Sequence, residues 1–124
     1  MKQLFVYLSL IAAFNLTACS NASQVQNIDT EVFKADPWGC KGERLALVEQ
    51  IKTHKDELLS LSQHDFVDLL GKPDKQELDS RNKKQFIYSL APGKNCKNAE
   101  KAPLEMLIRF NATERSYEIS FRNM

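Results

Sequence analysis

Four glycines and four prolines among 124 residues leave little loop-forming material, and neither a glycine-rich phosphate loop nor a G-x-S-x-G nucleophile turn occurs. His54 and His64 are the only histidines, and they form no H-E-x-x-H helix. The three cysteines include no C-x-x-C pair, so a zinc site built from Cys40, Cys96, His54 and His64 lacks the usual ligand spacing. His64 adjoins Asp65, Ser60 and Ser62, but neighbours in a helix cap do not supply the geometry of a catalytic triad. No catalytic residue, metal or cofactor is therefore assigned. A surplus of one charge is missing too: without Lys2, the 17 basic residues fall level with the 16 acidic ones. That balance argues against a sequence-independent nucleic-acid binder, which needs a basic face. Long hydrophobic runs are also absent. The most apolar stretch, Leu4 to Phe14, is broken only by Ser9 and is shorter than the ~20 helical residues that cross a bilayer.

What is present at the N-terminus is more specific. Lys2 precedes the apolar stretch, and Leu16, Thr17, Ala18 and Cys19 follow it. This order resembles the bacterial lipobox, which implies a signal peptide over 1–18, cleavage before Cys19 and a diacylglycerol on its thiol. The alternative is an ordinary secretory signal cut after Ala18. Two or three acyl chains hold a protein stably at a membrane, whereas one binds only marginally. Ser20 stands where aspartate would imply inner-membrane retention, so the resemblance implies the outer membrane. With no acidic run after the cysteine, the expected side is the periplasmic one. Residues 19–36 are rich in Ser, Asn and Gln and read as a flexible tether, leaving 37–124 as one domain. If Cys19 carries lipid, Cys40 and Cys96 remain to pair in an oxidising compartment.

Within the domain, "DPWGC" at 36–40 is turn chemistry, with Trp38 expected to pack beside the disulfide. Residues 43–58 follow a helical period. Leu45, Leu47, Val48 and Ile51 form its apolar stripe, and Arg44 falls among its solvated charges. Ser62 and Asp65 occupy capping-box positions for a helix over 63–70, Leu61 and Phe66 occupy staple positions, and Gly71 and Pro73 end it. Asp68 and Asp74, flanking that glycine, read as solvation. Alternation then predicts strands near 75–78, 85–90, 104–110 and 116–121. Phe86, Tyr88, Met106, Ile108 and Phe110 share one face, as do Tyr117, Ile119 and Phe121. Gln85, Ser89, Arg109, Glu118, Ser120 and Arg122 fall on the other. The expected fold is α+β, with two N-terminal helices on a three- to four-stranded antiparallel sheet.

"VDLLGKPD" (67–74) followed by "FIYSL" (86–90), behind a lipobox, resembles the SmpA/OmlA (BamE-like) family of small outer-membrane lipoproteins. The resemblance implies a non-catalytic, lipid-anchored protein-binding module in outer-membrane assembly or envelope integrity. The cysteine pair is not characteristic of that family, and no contact residue is carried over from it. The same layout serves secreted inhibitors resembling the β-lactamase inhibitory protein. The alternative function is thus a lipid-anchored inhibitor or immunity-like protein that blocks an exported enzyme or toxin. Arg109, Arg122 and Glu118 on the open sheet face are the candidate partner contacts.

Overall fold

The computed structural model describes residues 25–123. The expected signal peptide over 1–18 and Cys19 lie outside them. The described chain is α+β, with several short helices preceding a four-stranded antiparallel sheet. The helices are α1 (Thr30–Lys34), α2 (Glu43–Ala46), α3 (Val48–His54) and α4 (Gln63–Leu70). Short 3₁₀ turns occupy Pro37–Gly39 and Lys55–Leu58. The strands β1 (Lys75–Leu78), β2 (Lys84–Ser89), β3 (Leu104–Phe110) and β4 (Ser116–Asn123) form a meander in sequence order. Among the described residues no helix is long and apolar enough to cross a membrane.

The expected tether over 19–36 is corrected in its second half. Asp29 caps α1, its side chain accepting from Val32 N, and Phe33 is fully buried. Ile28 joins the same core. Asp29 N donates to Gln50 Oε1 (2.8 Å) on α3, and the Asn27 side chain donates to Glu57. That Asn27 contact holds the Glu57 carboxyl below the usual carboxylate range. One buried aromatic, one cap and the contacts to Gln50 and Glu57 therefore dock a segment whose polar composition hides its packing.

The single helix expected over 43–58 is also broken. Leu47 N bonds tightly back to Arg44 O (3.1 Å), ending α2, and α3 starts afresh at Val48. The break rotates the apolar stripe. Val48 and Ile51 are buried, Leu45 is exposed, and Arg44 is 1 % exposed. Its guanidinium lies 4.3 Å from the centre of the Phe33 ring and 5.7 Å from that of Tyr88. Nε donates to Phe33 O (3.0 Å), while one terminal nitrogen donates to Asp74 Oδ2 (2.6 Å) and Ser89 O (3.1 Å). Asp74 is likewise buried, not solvated, and also accepts from Trp38 N and Ser89 N. Asp36, fully buried, accepts from the backbone of Lys41, Glu43 and Arg44. It thus supplies the cap that Gly42, at the N-cap position of α2, cannot. A buried charge is costly unless paired or hydrogen-bonded: Arg44 is paired with Asp74, and Asp36 is held by three backbone donors. Burial pushes the Tyr88 phenol well above its usual range, so it remains a donor, to Gly71 O (2.8 Å).

The network fixes the turn that carries Trp38 against β2. Trp38 has φ 61°, unusual for a non-glycine residue, and Trp38 O accepts from Gly93 N. At Gly39 (φ +65°), a Cβ would sit 3.0 Å from the Leu90 backbone, so only glycine fits. One residue on, Cys40 is bonded to Cys96, 56 positions away, with a Cα–Cα distance of 5.3 Å. The staple joins the approach to α2 with the loop between β2 and β3.

Helix α4 forms where expected. Ser62 Oγ accepts from Asp65 N (3.1 Å), and Asp65 Oδ2 accepts from Ser62 N (2.9 Å). Gly71 ends the helix with φ 81° and ψ 178°, a conformation open to glycine. Phe66, Leu70, Phe86, Tyr88, Met106, Ile108 and Phe110 build the core between helices and sheet. Phe110 meets both Phe66 and Phe86 edge-on.

Candidate interaction face

The opposite face of the sheet is left uncovered by the helices. Register places Gln85, Arg109 and Glu118 in one cross-strand row, and Ser89, Glu105 and Arg122 in another. Lys75 and Glu77 contribute from β1 by pairing with Ile87 and Gln85. The three candidate contacts therefore lie on one surface. Arg109 reaches Glu118 (3.1 Å). Arg122 reaches Glu105 (3.2 Å) and Glu77 (3.8 Å), and Lys75 also bonds Glu105. Glu105 is 1 % exposed, so Arg122 both balances a buried carboxylate and faces outward. Between the charged rows, Ile87 and Leu107 form a buried apolar floor.

One expected position moves. Alternation sets Tyr117 on the same face as Ile119 and Phe121, but it is 45 % exposed. Pairing jumps from Arg109↔Glu118 to Phe110↔Ser116, so two positions on β4 are spent against one on β3. Tyr117 is the extra residue of this bulge, and a bulge re-aims the side chain it carries. Tyr117 now lines a concavity of about 520 Å³ with Asp79, Arg81, Arg109, Glu118 and Arg122. Lys83 Nζ lies 5.8 Å from the centre of its ring. The bulge is anchored from below, because Ser116 Oγ donates to Leu58 O (2.7 Å) in the core.

The β1–β2 turn forms the wall of that concavity. Asp79 Oδ1 accepts from Lys83 N (3.0 Å) and Arg81 N (2.8 Å). These bonds hold the carboxyl below its usual range, so the turn's share of stability is present at neutral pH and is lost as pH falls through that lowered value. Gln85 Oε1 and Arg109 Nε, both buried, have no hydrogen-bond partner among the described residues. At the other end, the loop stapled by Cys96 folds over β2 and β3. It encloses about 510 Å³ with Trp38, Lys75, Lys94, Glu100, Lys101 and Glu105 on its walls. Trp38 is half-buried there, beside the disulfide as expected.

Glu105 and Lys75 escape a reading by alternation because their importance lies in a row of charges that only strand register assembles. Tyr117 escapes it because one inserted residue shifts every position before it. His64 is exposed and pairs with Asp68 (3.2 Å), an ordinary helix-surface contact. Comparison with protein-family models, with curated proteins and with solved structures found no match.

Proposed function

We propose that this chain is a lipid-anchored envelope protein, held through Cys19 on the periplasmic side of the outer membrane. Its domain acts as a non-catalytic protein-binding module in the manner of the SmpA/OmlA lipoproteins, serving outer-membrane assembly or envelope integrity. The observation that carries the protein-binding reading is the bulge that places Tyr117 beside Arg109 and Arg122 at a concavity on the sheet face that the helices leave uncovered. Tyr and Arg over a small apolar floor, ringed by charges of both signs, is the chemistry of protein interfaces. The lipobox resemblance supports the anchor.

Two experiments test the two halves separately. Cys19→Ser should abolish incorporation of radioactive palmitate and leave an uncleaved precursor; label persisting on the variant would remove the anchor from the proposal. For the face, Tyr117→Ala should leave the unfolding midpoint nearly unchanged, since exposed substitutions cost about 0.5 kcal/mol or less. In affinity capture from solubilised membranes, it should weaken recovery of the partner by about tenfold or more, the loss expected of an interface anchor. Leu45→Ala, exposed on the helical side, serves as the control. Equal capture by Tyr117→Ala and the unmodified protein would clear this face of the role. Envelope-assembly proteins in the eluate favour the scaffold reading, and a single exported hydrolase or toxin favours the inhibitor.

A further inference from the structure

The last strand of the sheet has an open edge. Among the described residues, the backbone bonds from β4 to anything other than β3 are confined to Ser116, which donates to Leu61 O and accepts from Ser60 N. From Tyr117 to Asn123 the outer edge of β4 is unpaired by such bonds. Its hydrogen-bonding parity follows from β3. Leu104 O accepts from Leu90 N, so alternation turns the polar backbone groups of Glu105, Leu107 and Arg109 toward β4. Their partners Arg122, Ser120 and Glu118 spend their own groups on β3. The N–H and C=O groups of Ile119, Phe121 and Asn123 then point outward.

We propose that a second copy of this chain fills that edge, β4 against β4 and antiparallel, about a two-fold axis through Ser120. Centred there, Ile119 of each copy faces Phe121 of the other, and each such pair exchanges both backbone hydrogen bonds. Both residues belong to the helix-covered side, where Ile119 is in the core and Phe121 packs against it, so the apolar layer continues from one copy to the next. On the open face, Glu118 of each copy meets Arg122 of the other. No other centre on the strand sets these opposite charges against one another; centring on Glu118 or Arg122 opposes like charges, which disfavours pairing. The available edge runs from Tyr117 to Asn123, and this register pairs Tyr117 with Asn123 across the axis. The Ser60–Leu61 segment, occupying Ser116, limits sliding beyond it. The competing edge, β1, is only four residues long, with Leu78 exposed at its end. A long edge strand without a proline or an inward-pointing lysine is a template for pairing. The symmetric face that results places two Tyr117 concavities on one continuous sheet.

The test uses the full-length chain in its own membrane. Ser120→Cys should cross-link to its counterpart on mild oxidation and run as a dimer on a non-reducing gel. Glu118→Cys should not, because in this register the two copies of position 118 lie about 14 Å apart. The dimer fraction of Ser120→Cys should exceed that of Glu118→Cys, and of Glu49→Cys on the exposed side of α3, by about tenfold. Glu118→Arg, which sets arginine against arginine, should reduce dimer several-fold when sedimentation is measured on the detergent-solubilised protein. An intact Cys40–Cys96 bond in each variant reports that it has folded. If folded Ser120→Cys cross-links no better than Glu49→Cys, or if Gln76→Cys on β1 cross-links in its place, the β4 pairing is wrong.

Discussion

Arg44→Ala will destabilise the domain by about 3–5 kcal/mol, the range found when one partner of a buried ion pair is removed. The loss has identifiable parts. Asp74, with 3 % of its side chain exposed, would keep the Trp38 and Ser89 N–H donors but lose the guanidinium it is paired with. Phe33 O and Ser89 O would each lose a donor in a dry environment, and the cation stacked on Phe33 would vanish. A domain of this size holds about 5–15 kcal/mol in total, so the variant approaches the unfolding threshold. Urea melts measure the effect directly. At about 1–3 kcal/mol per molar urea, the midpoint should fall by more than about 1 M. Arg81→Ala, on the exposed turn, should move it little. A double cycle with Asp74→Asn separates the pair from its surroundings. If the two changes are additive, the network is a set of independent contacts.

The second large effect is expected at the disulfide. Replacing Cys40 and Cys96 by alanine, or reducing them, releases a cross-link over 56 positions. Chain-entropy reasoning puts its contribution at about 4 kcal/mol. Thermal unfolding with and without reductant checks it, provided both forms refold. The two large effects should not simply sum, because Cys40 and the Asp36–Arg44 segment hold the same turn against β2 and its loop. Coupling between such neighbours is typically about 0.5–3 kcal/mol. A fully additive triple variant would separate the staple from the buried network.

Much of this architecture is readable from the residues. Ser62 and Asp65 announce the start of α4 because capping is a local transaction, completed within three positions. The alternation of Leu104, Met106, Ile108 and Phe110 announces β3 because one side of the sheet is buried throughout. The burial of Arg44 is not readable for the opposite reason. Its acceptors lie 11, 30 and 45 positions away, and nothing in a helix-long window distinguishes an arginine with three distant partners from one facing water. Helix α1, at five residues, is too short to show periodicity, and its one anchor, Phe33, sits in a polar neighbourhood. The candidate interaction face is legible as a set of charges at Arg109, Glu118 and Arg122. Its aromatic member is not, because the β4 bulge has no glycine or proline to mark it.

The buried network also has a consequence for how the chain is made. Synthesis delivers it N-terminus first, so α1 through α4 emerge before any strand. Phe33, Ile51 and Phe66 then have no sheet to pack on, and Arg44 waits for Asp74 and for Ser89 on β2. Cys40 has no mate until Cys96 arrives. The leading half therefore emerges as an incomplete structure, and Arg44 gains its buried partners only when the trailing half appears. Folding is completed only at the end of synthesis, when β2 and Cys96 supply what the leading half lacks.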